Sequence, residues 1–127
     1  MIYRFLPDAI YALEPNAHFR INGNFTFENL TWEPHVDKAI IPTEQAIAQK
    51  ANELEAAYPM VLLREERDKR LSEVDWWTSR ALDGIELTQE QKDYRQALRD
   101  LPSTASPQMD ESGFNQIKNV TWPTKPE

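Results

Sequence analysis

Near the N-terminus, the apolar residues are first spaced as they are in an amphipathic helix. Pro7 and Asp8 favour the first turn of a helix, because proline lacks an amide hydrogen and a carboxylate suits the helix dipole. Ile10 and Leu13 then lie three positions apart on one face. This pattern predicts a short helix over residues 7–14.

The spacing then changes to that of strands. Residues 18–21 alternate polar and apolar side chains, as a half-buried strand does, and the following Asn22-Gly23 pair is typical of a tight hairpin turn. Residues 25–32 are rich in strand-forming side chains, but the alternation slips at residues 28–29, where a bulge or an irregular turn is expected. The sequence therefore predicts a small antiparallel sheet after the helix.

The middle of the chain has helical spacing on both sides of a proline. Residues 33–42 form a connector bounded by prolines, and Thr43 is suited to cap the helix that follows. Because Pro59 cannot continue a regular helix, we expect either a kink or a new helix there. One helical face precedes Pro59 and a second follows it, formed by Ile47, Ala51, Leu54 and Tyr58 and then by Met60, Leu63, Arg67, Leu71 and Val74.

Charged side chains surround the second face. Glu65 and Lys69, like Glu66 and Arg70, are spaced for ion pairs on a helix surface, each worth about 0.2–0.5 kcal/mol. Acid–base chemistry by these glutamates and Asp68 is an alternative. The interleaved basic residues favour a solvated helix face.

A further helix is predicted over residues 89–100. A turn at residues 83–84 precedes it, and Thr88 and Gln91 have the spacing of a capping box, in which each side chain bonds the other residue's amide. Its inner face should carry Tyr94, Ala97, Leu98 and Leu101.

Proline and polar residues dominate the end of the chain. The segment 102–107, which begins and ends with proline, is expected to stop the preceding helix, and the residues after it should be loose. From Asn119 to Pro126 we expect an extended, polyproline-like tail.

The composition limits the classes of partner. The formal net charge of −7 disfavours binding to nucleic acid or to membrane surfaces, because both carry negative charge. The absence of cysteine excludes disulfides, thiolate metal sites and cysteine nucleophiles. No window is apolar enough for a transmembrane helix, and the N-terminus does not have the pattern of a signal peptide. We therefore expect a soluble protein made in a cytoplasm.

Candidate catalytic residues are few. His18 and His35 could act as metal ligands or general bases, but no third ligand has a suggestive spacing, so we interpret them as surface or edge histidines. No Ser-His-Asp order, nucleophile elbow, phosphate-binding loop or dinucleotide-binding fingerprint occurs. We expect no cofactor and no metal, and a small hydrolase or an enzyme accessory is the weakest functional hypothesis.

The four tryptophans are more informative. Trp32 ends a predicted strand and should belong to a core. Trp76 and Trp77 are adjacent, so a helix would point them about 100° apart; one should anchor the packing while the other is a candidate for a partner surface. Trp122 could fold back onto the helices or dock into another protein, and we favour the fold-back.

Three ordered segments in the second half carry a recognisable pattern. They contain Arg64, Arg67, Asp75 and Trp76, then Tyr94, Arg95 and Leu98, and finally Trp122 and Pro123. In this order, over residues 60–126, they resemble the phage tail assembly chaperone family and, more distantly, the tail fibre assembly proteins. The first 40 residues resemble a leader unit on related phage proteins, especially those of cyanophages.

The resemblance implies a protein that acts by binding and not by catalysis. Its partner would be a phage tail or tail fibre protein, held during folding, trimerisation or attachment in the host cytoplasm. The alternative is a structural component of the virion tail, fibre or baseplate, and self-association into a homo-oligomer stays open. The family has no catalytic residues to carry over.

A packing role for the motif residues is also consistent with their chemistry. Asp75 could cap a helix or pair with Arg67 or Arg95. Tyr94 and Trp76 could pack two helices together, with the tail covering them. We expect packing to be the main role of these residues.

The sequence thus predicts an α+β protein. A short N-terminal helix and β-hairpin should form a leader unit over residues 1–41. A small helical domain with an extended C-terminal tail should follow over residues 42–127. The composition changes between these two parts at the proline-bounded connector.

Overall fold

The computed structural model describes residues 1–112 and 115–127, which fold as two compact units. Unit 1 is Met1–Tyr58 and unit 2 is Pro59–Glu127. Helices form most of the regular structure, and a small antiparallel sheet lies near the N-terminus, so the predicted α+β class is confirmed. A functional boundary between residues 41 and 42 stays a prediction.

Unit 1 begins with the predicted short helix. Helix α1 spans Leu6–Leu13, with a proline in its first turn and Asp8 beside it. Strand β1, Phe19–Ile21, pairs antiparallel with strand β2, Leu30–Trp32. The core of this unit is aliphatic and is formed by Leu6, Ala9, Ile10, Ala17, Ile47 and Ala51.

The connection between β1 and β2 differs from the predicted tight turn. Phe19 lies opposite Trp32 and Ile21 opposite Leu30, so residues 22–29 all belong to the loop. A 3-10 turn over Phe27–Asn29 occupies the position where the alternation of side chains slips. The irregular turn is therefore confirmed, whereas the two-residue hairpin is wrong, because the register set by the apolar residues overrides the local turn preference.

Helix α2 spans Glu44–Glu73 and continues through Pro59. The amide of Ala46 donates to the Thr43 hydroxyl oxygen at 3.1 Å, which confirms the predicted cap. A new helix at Pro59 is wrong. A single proline removes one amide donor, and the long runs of helix before and after it keep their own hydrogen bonds.

Helix α3, Asp75–Leu82, and helix α4, Gln89–Thr104, complete the helices of the described chain. The capping box is confirmed: the Gln91 amide donates to the Thr88 hydroxyl at 3.1 Å, and the Thr88 amide donates to the Gln91 side chain at 3.0 Å. Helix α4 ends at Thr104, inside the proline-bounded segment 102–107 that was predicted to stop it, but beyond the predicted end at residue 100. Ala97 is exposed and not on the inner face.

The segment after α4 is more ordered than predicted. Strand β3, Gln108–Met109, pairs antiparallel with strand β4, Ile117–Lys118. Next to β3, Asp110 accepts hydrogen bonds from the hydroxyl and the amide of Ser112, which lower the pKa of its carboxyl. The expectation of a loose chain after the helix is therefore wrong for these short strands.

Residues 120–127 form neither helix nor strand, as expected for an extended tail. At the start of this tail, the Asn119 side chain donates to the Ser106 carbonyl at 2.8 Å, and its backbone has a φ of 65°. Asparagine tolerates this left-handed conformation better than most residues. None of the helices in residues 1–112 and 115–127 combines the length and the apolarity of a membrane span.

Candidate functional site

The adjacent tryptophans of α3 lie in different environments. The side chain of Trp77 is 2% exposed, whereas that of Trp76 is 51% exposed. Their ring centroids are 6.0 Å apart in an edge-to-face arrangement. This confirms that one of the two anchors the packing and the other is accessible. The expectation that Trp76 packs against Tyr94 is wrong, because Trp77 has that role.

Trp77 belongs to the aromatic core of unit 2. Its ring meets that of Tyr94 edge to face, with centroids 6.0 Å apart. Val74 and Leu98 complete this core, and Leu98 is fully buried. The two helix motifs singled out in the sequence therefore meet at one hydrophobic cluster.

The C-terminal tail folds back onto this cluster. Trp122 is partly buried against it, and the Arg70 guanidinium lies 4.2 Å from the centroid of the Trp122 ring. Arg70 also donates to Glu66 at 3.0 Å, which is the predicted helix-surface pair and orients the guanidinium. Pro123 is half-buried. Of the two alternatives for Trp122, folding back or docking into another protein, the structure shows the fold-back.

The predicted ion pairs of Asp75 are absent among the residues that the structure describes. Arg67 pairs instead with its neighbour Asp68 at 2.9 Å, and the Nε of Arg95 is buried without an acceptor. Asp75 is the first residue of α3, whose cap position is Val74 without a side-chain hydrogen bond. Its carboxylate lies in the first turn of α3, where a negative charge is favourable for the helix dipole.

The remaining charged candidates lie on the surface of α2. Arg64 is exposed, and so is Lys69. The predicted pair between Glu65 and Lys69 does not form in the part of the chain that the structure describes. These side chains form a solvated helix face, as the mixed charge pattern predicts.

A groove lies beside the exposed tryptophan, and we name it the Trp76–Arg80 groove. Its volume is about 390 Å³. The Arg80 guanidinium lies 4.8 Å from the centroid of the Trp76 ring, and the Nε of Arg80 is buried without a hydrogen-bond acceptor in residues 1–112 and 115–127. The groove is lined by Trp76, Trp77, Arg80, Gln91, Lys125, Pro126 and Glu127.

Arg80, Gln91 and Lys125 were not identified from the sequence. Arg80 follows Trp76 by four positions, so both share one face of α3, and this spacing was a usable signal. The contribution of Lys125 depends on the path of the tail, which no local pattern gives.

A second groove, of about 510 Å³, lies between α2 and the tail. Glu65, Glu66, Lys69 and Arg70 line it, so its charges are mixed. Its aromatic wall is Trp122, whose ring is covered by Arg70. The lining of this groove is therefore more polar, in proportion, than that of the Trp76–Arg80 groove.

The two histidines lie together in unit 1. The rings of His18 and His35 are 5.1 Å apart edge to face, and both side chains are exposed, as predicted for surface histidines. Among the residues that the structure describes, no group of three or more candidate ligands could hold a metal ion. The arrangement gives no basis for a metal or catalytic site.

Comparison with known proteins identifies unit 2. The model of the phage tail assembly chaperone protein family matches residues 60–127, which is more than half of the chain and, apart from Pro59, the whole of unit 2. Searches among curated proteins and among solved structures gave no match. The matched region contains the aromatic core, the folded-back tail and the Trp76–Arg80 groove. The chain belongs to the phage tail assembly chaperone family.

Proposed function

We propose that this protein binds a phage tail protein, and specifically a tail fibre protein, while that partner folds, trimerises or attaches. Membership of the family gives the chain a role in tail assembly inside the infected host cell. The observation that supports binding by unit 2 is the half-exposed Trp76 beside Arg80. Tryptophan and arginine are the residue types that most often dominate the energy of protein interfaces.

The motif residues divide into two groups in this proposal. Trp77, Tyr94 and Leu98 pack the core, and Trp122 covers it, so their role is to hold the surface in shape. Trp76 is the principal contact for the partner, with exposed Arg64 and the half-buried Pro123 as further contacts. The function requires binding and release of a partner, and no bond is made or broken.

Co-expression tests the proposal directly. The chain is produced together with a tail fibre protein of the same phage, and soluble, trimeric fibre is measured by size-exclusion chromatography. The intact chain should raise the yield of trimer, and Trp76→Ala should remove most of the gain. Leu82→Ala is a matched control, because Leu82 is 86% exposed near the end of the same helix and does not line the groove.

An unchanged yield of trimeric fibre would contradict the tail fibre partner. Mass spectrometry of purified particles addresses the alternative of a virion component. A transient chaperone should be absent from finished particles, whereas a stoichiometric amount of the protein would support a structural role in the tail, fibre or baseplate.

A further inference from the structure

We infer that the Trp76–Arg80 groove binds an extended segment of the partner that carries a carboxylate next to an aromatic or aliphatic side chain. This inference rests on the proposed function, because it names the chemistry that the chaperone surface recognises. The geometry and the charge of the groove support this inference, and both can be tested without the natural partner.

The first argument is the hydrogen bonding of Arg80. Its Nε is buried and has no acceptor among the residues that the structure describes. Among the same residues no carboxylate forms an ion pair with Arg80, which lines the groove, so an incoming carboxylate would supply the missing charged partner. The guanidinium offers a planar fork of donors that matches the two oxygens of a carboxylate better than it matches a single neutral carbonyl.

The second argument is the apolar surface beside that guanidinium. Half of the Trp76 side chain is open to solvent, while Trp77 behind it is held in the core. Gln91 is held by its bond to the Thr88 amide, so this part of the lining is ordered before a ligand arrives. A rigid aromatic surface beside a cation favours an apolar side chain that directly precedes or follows an acidic one.

The third argument is local charge. The charged side chains of the groove are Arg80, Lys125 and Glu127, so cations outnumber acids there, in a protein with a net charge of −7. A second copy of the chain is a poor occupant of the groove, because two strongly acidic molecules repel each other. A short acidic segment interacts mainly with the nearby cations Arg80 and Lys125.

Two synthetic peptides test the inference with the full-length chain. The first alternates aspartate with phenylalanine and leucine, and the second has asparagine in place of each aspartate. Binding is followed by the nitrogen–proton NMR signals of the four tryptophan indoles and of the arginine Nε groups, assigned with single variants. The acidic peptide should shift the Trp76 and Arg80 signals and leave the Trp32 signal of unit 1 unchanged.

The affinities should follow the proposed contacts. Replacing aspartate by asparagine should weaken binding by about tenfold or more, and Trp76→Ala and Arg80→Met should each do the same. Arg99→Met and Leu82→Ala are matched controls for charge and apolar area, because both residues are exposed and neither lines the groove. Added salt should weaken the binding of the acidic peptide more than the binding of the neutral one.

Other results would overturn the inference. Equal binding of both peptides would show that the groove does not select carboxylates, and shifts confined to other indoles would place the peptide elsewhere. Concentration-dependent self-association that Trp76→Ala abolishes would make a second copy the occupant.

The peptide experiment and the fibre experiment can contradict their hypotheses independently of each other. Loss of peptide binding in a chain that still raises the yield of fibre would refute the carboxylate-selective groove and leave the chaperone function intact. Peptide binding in a chain that has no effect on fibre would refute the proposed function and leave the specificity of the groove in place.

Discussion

The two units of this protein build their cores from different side chains. The buried core of unit 1 is aliphatic, with Leu6, Ile10 and Ile47 among its largest members. The core of unit 2 contains Trp77 and Tyr94 and is covered by Trp122 from the tail. Only unit 2 lies in the region that matches the phage tail assembly chaperone family. The difference is confined to the fully buried side chains, because Tyr3, Phe19, Phe27 and Trp32 also pack, partly buried, against the core of unit 1.

An aromatic core has a consequence for the surface next to it. Trp77 and Trp76 are consecutive residues of α3, and burial of the first holds the second at the surface. A large apolar ring is normally costly to expose, but here the packed neighbour fixes its position. Unit 2 therefore combines a rigid interior with an accessible aromatic residue.

The largest expected effect on stability comes from truncating a buried side chain in either core. Leu98→Ala in unit 2 and Ile10→Ala in unit 1 should each lower the free energy of unfolding by about 2–5 kcal/mol, because both side chains are fully buried and each change leaves a cavity. Urea denaturation measures the loss, and the indole signals of Trp77 and Trp32 report each unit separately. A loss below about 1 kcal/mol in either variant would contradict the assigned core.

A smaller effect is expected where the tail covers the aromatic core. Trp122→Ala should cost about 1–2 kcal/mol, because the ring is only partly buried and also loses its contact with the Arg70 guanidinium. Thermal unfolding measures this change. Trp122→Phe is the control and should retain part of the stability. An unchanged melting temperature for Trp122→Ala would show that the tail does not stabilise unit 2.

The helix caps allow a matched comparison of α4 with α2. Thr88→Ala should cost about 1 kcal/mol, because it breaks a reciprocal capping box, and Thr43→Ala should cost less, because Thr43 makes one side-chain bond. Serine at each position should preserve the cap. Chemical denaturation of the four variants measures the ranking, and a larger loss for Thr43→Ala would contradict it.

The smallest effect on stability is expected at the exposed tryptophan. Trp76→Ala should lower the free energy of unfolding by less than about 1 kcal/mol, because the half-exposed side chain loses only its contacts with Trp77 and Arg80. The same variant should lose most of its effect on the yield of tail fibre. A loss of stability as large as that of Leu98→Ala would mean that Trp76 supports the core, and its effect on the fibre would then have a structural cause.

Local patterns predicted much of the fold. The short first helix, the caps at Thr43 and Thr88 and the irregular turn before β2 were each readable from a few neighbouring residues. The pattern of adjacent tryptophans also predicted that only one could be buried, since consecutive helical residues point in different directions. The failures had non-local causes: the long loop between β1 and β2 is set by strand register, and α2 and α4 tolerate their prolines.

The candidate site was only half predicted. The order of the three motif segments was enough to identify the family, but it did not separate packing residues from exposed ones. Trp76 was expected to pack against Tyr94, and Asp75 to pair with an arginine, and both expectations were wrong. Lys125 could not be predicted because its neighbours in space depend on where the tail runs, whereas Arg80 had a local signal in its four-residue spacing from Trp76.

The sequence by itself determined the family of this protein, its acidic character and most of its helices, because motif order, charge and amphipathic spacing are properties of the chain. The tertiary structure alone decided which tryptophan is buried and where the tail lies. Those outcomes depend on side chains far apart in sequence competing for one small core. Packing can bury only one of two rings that point about 100° apart.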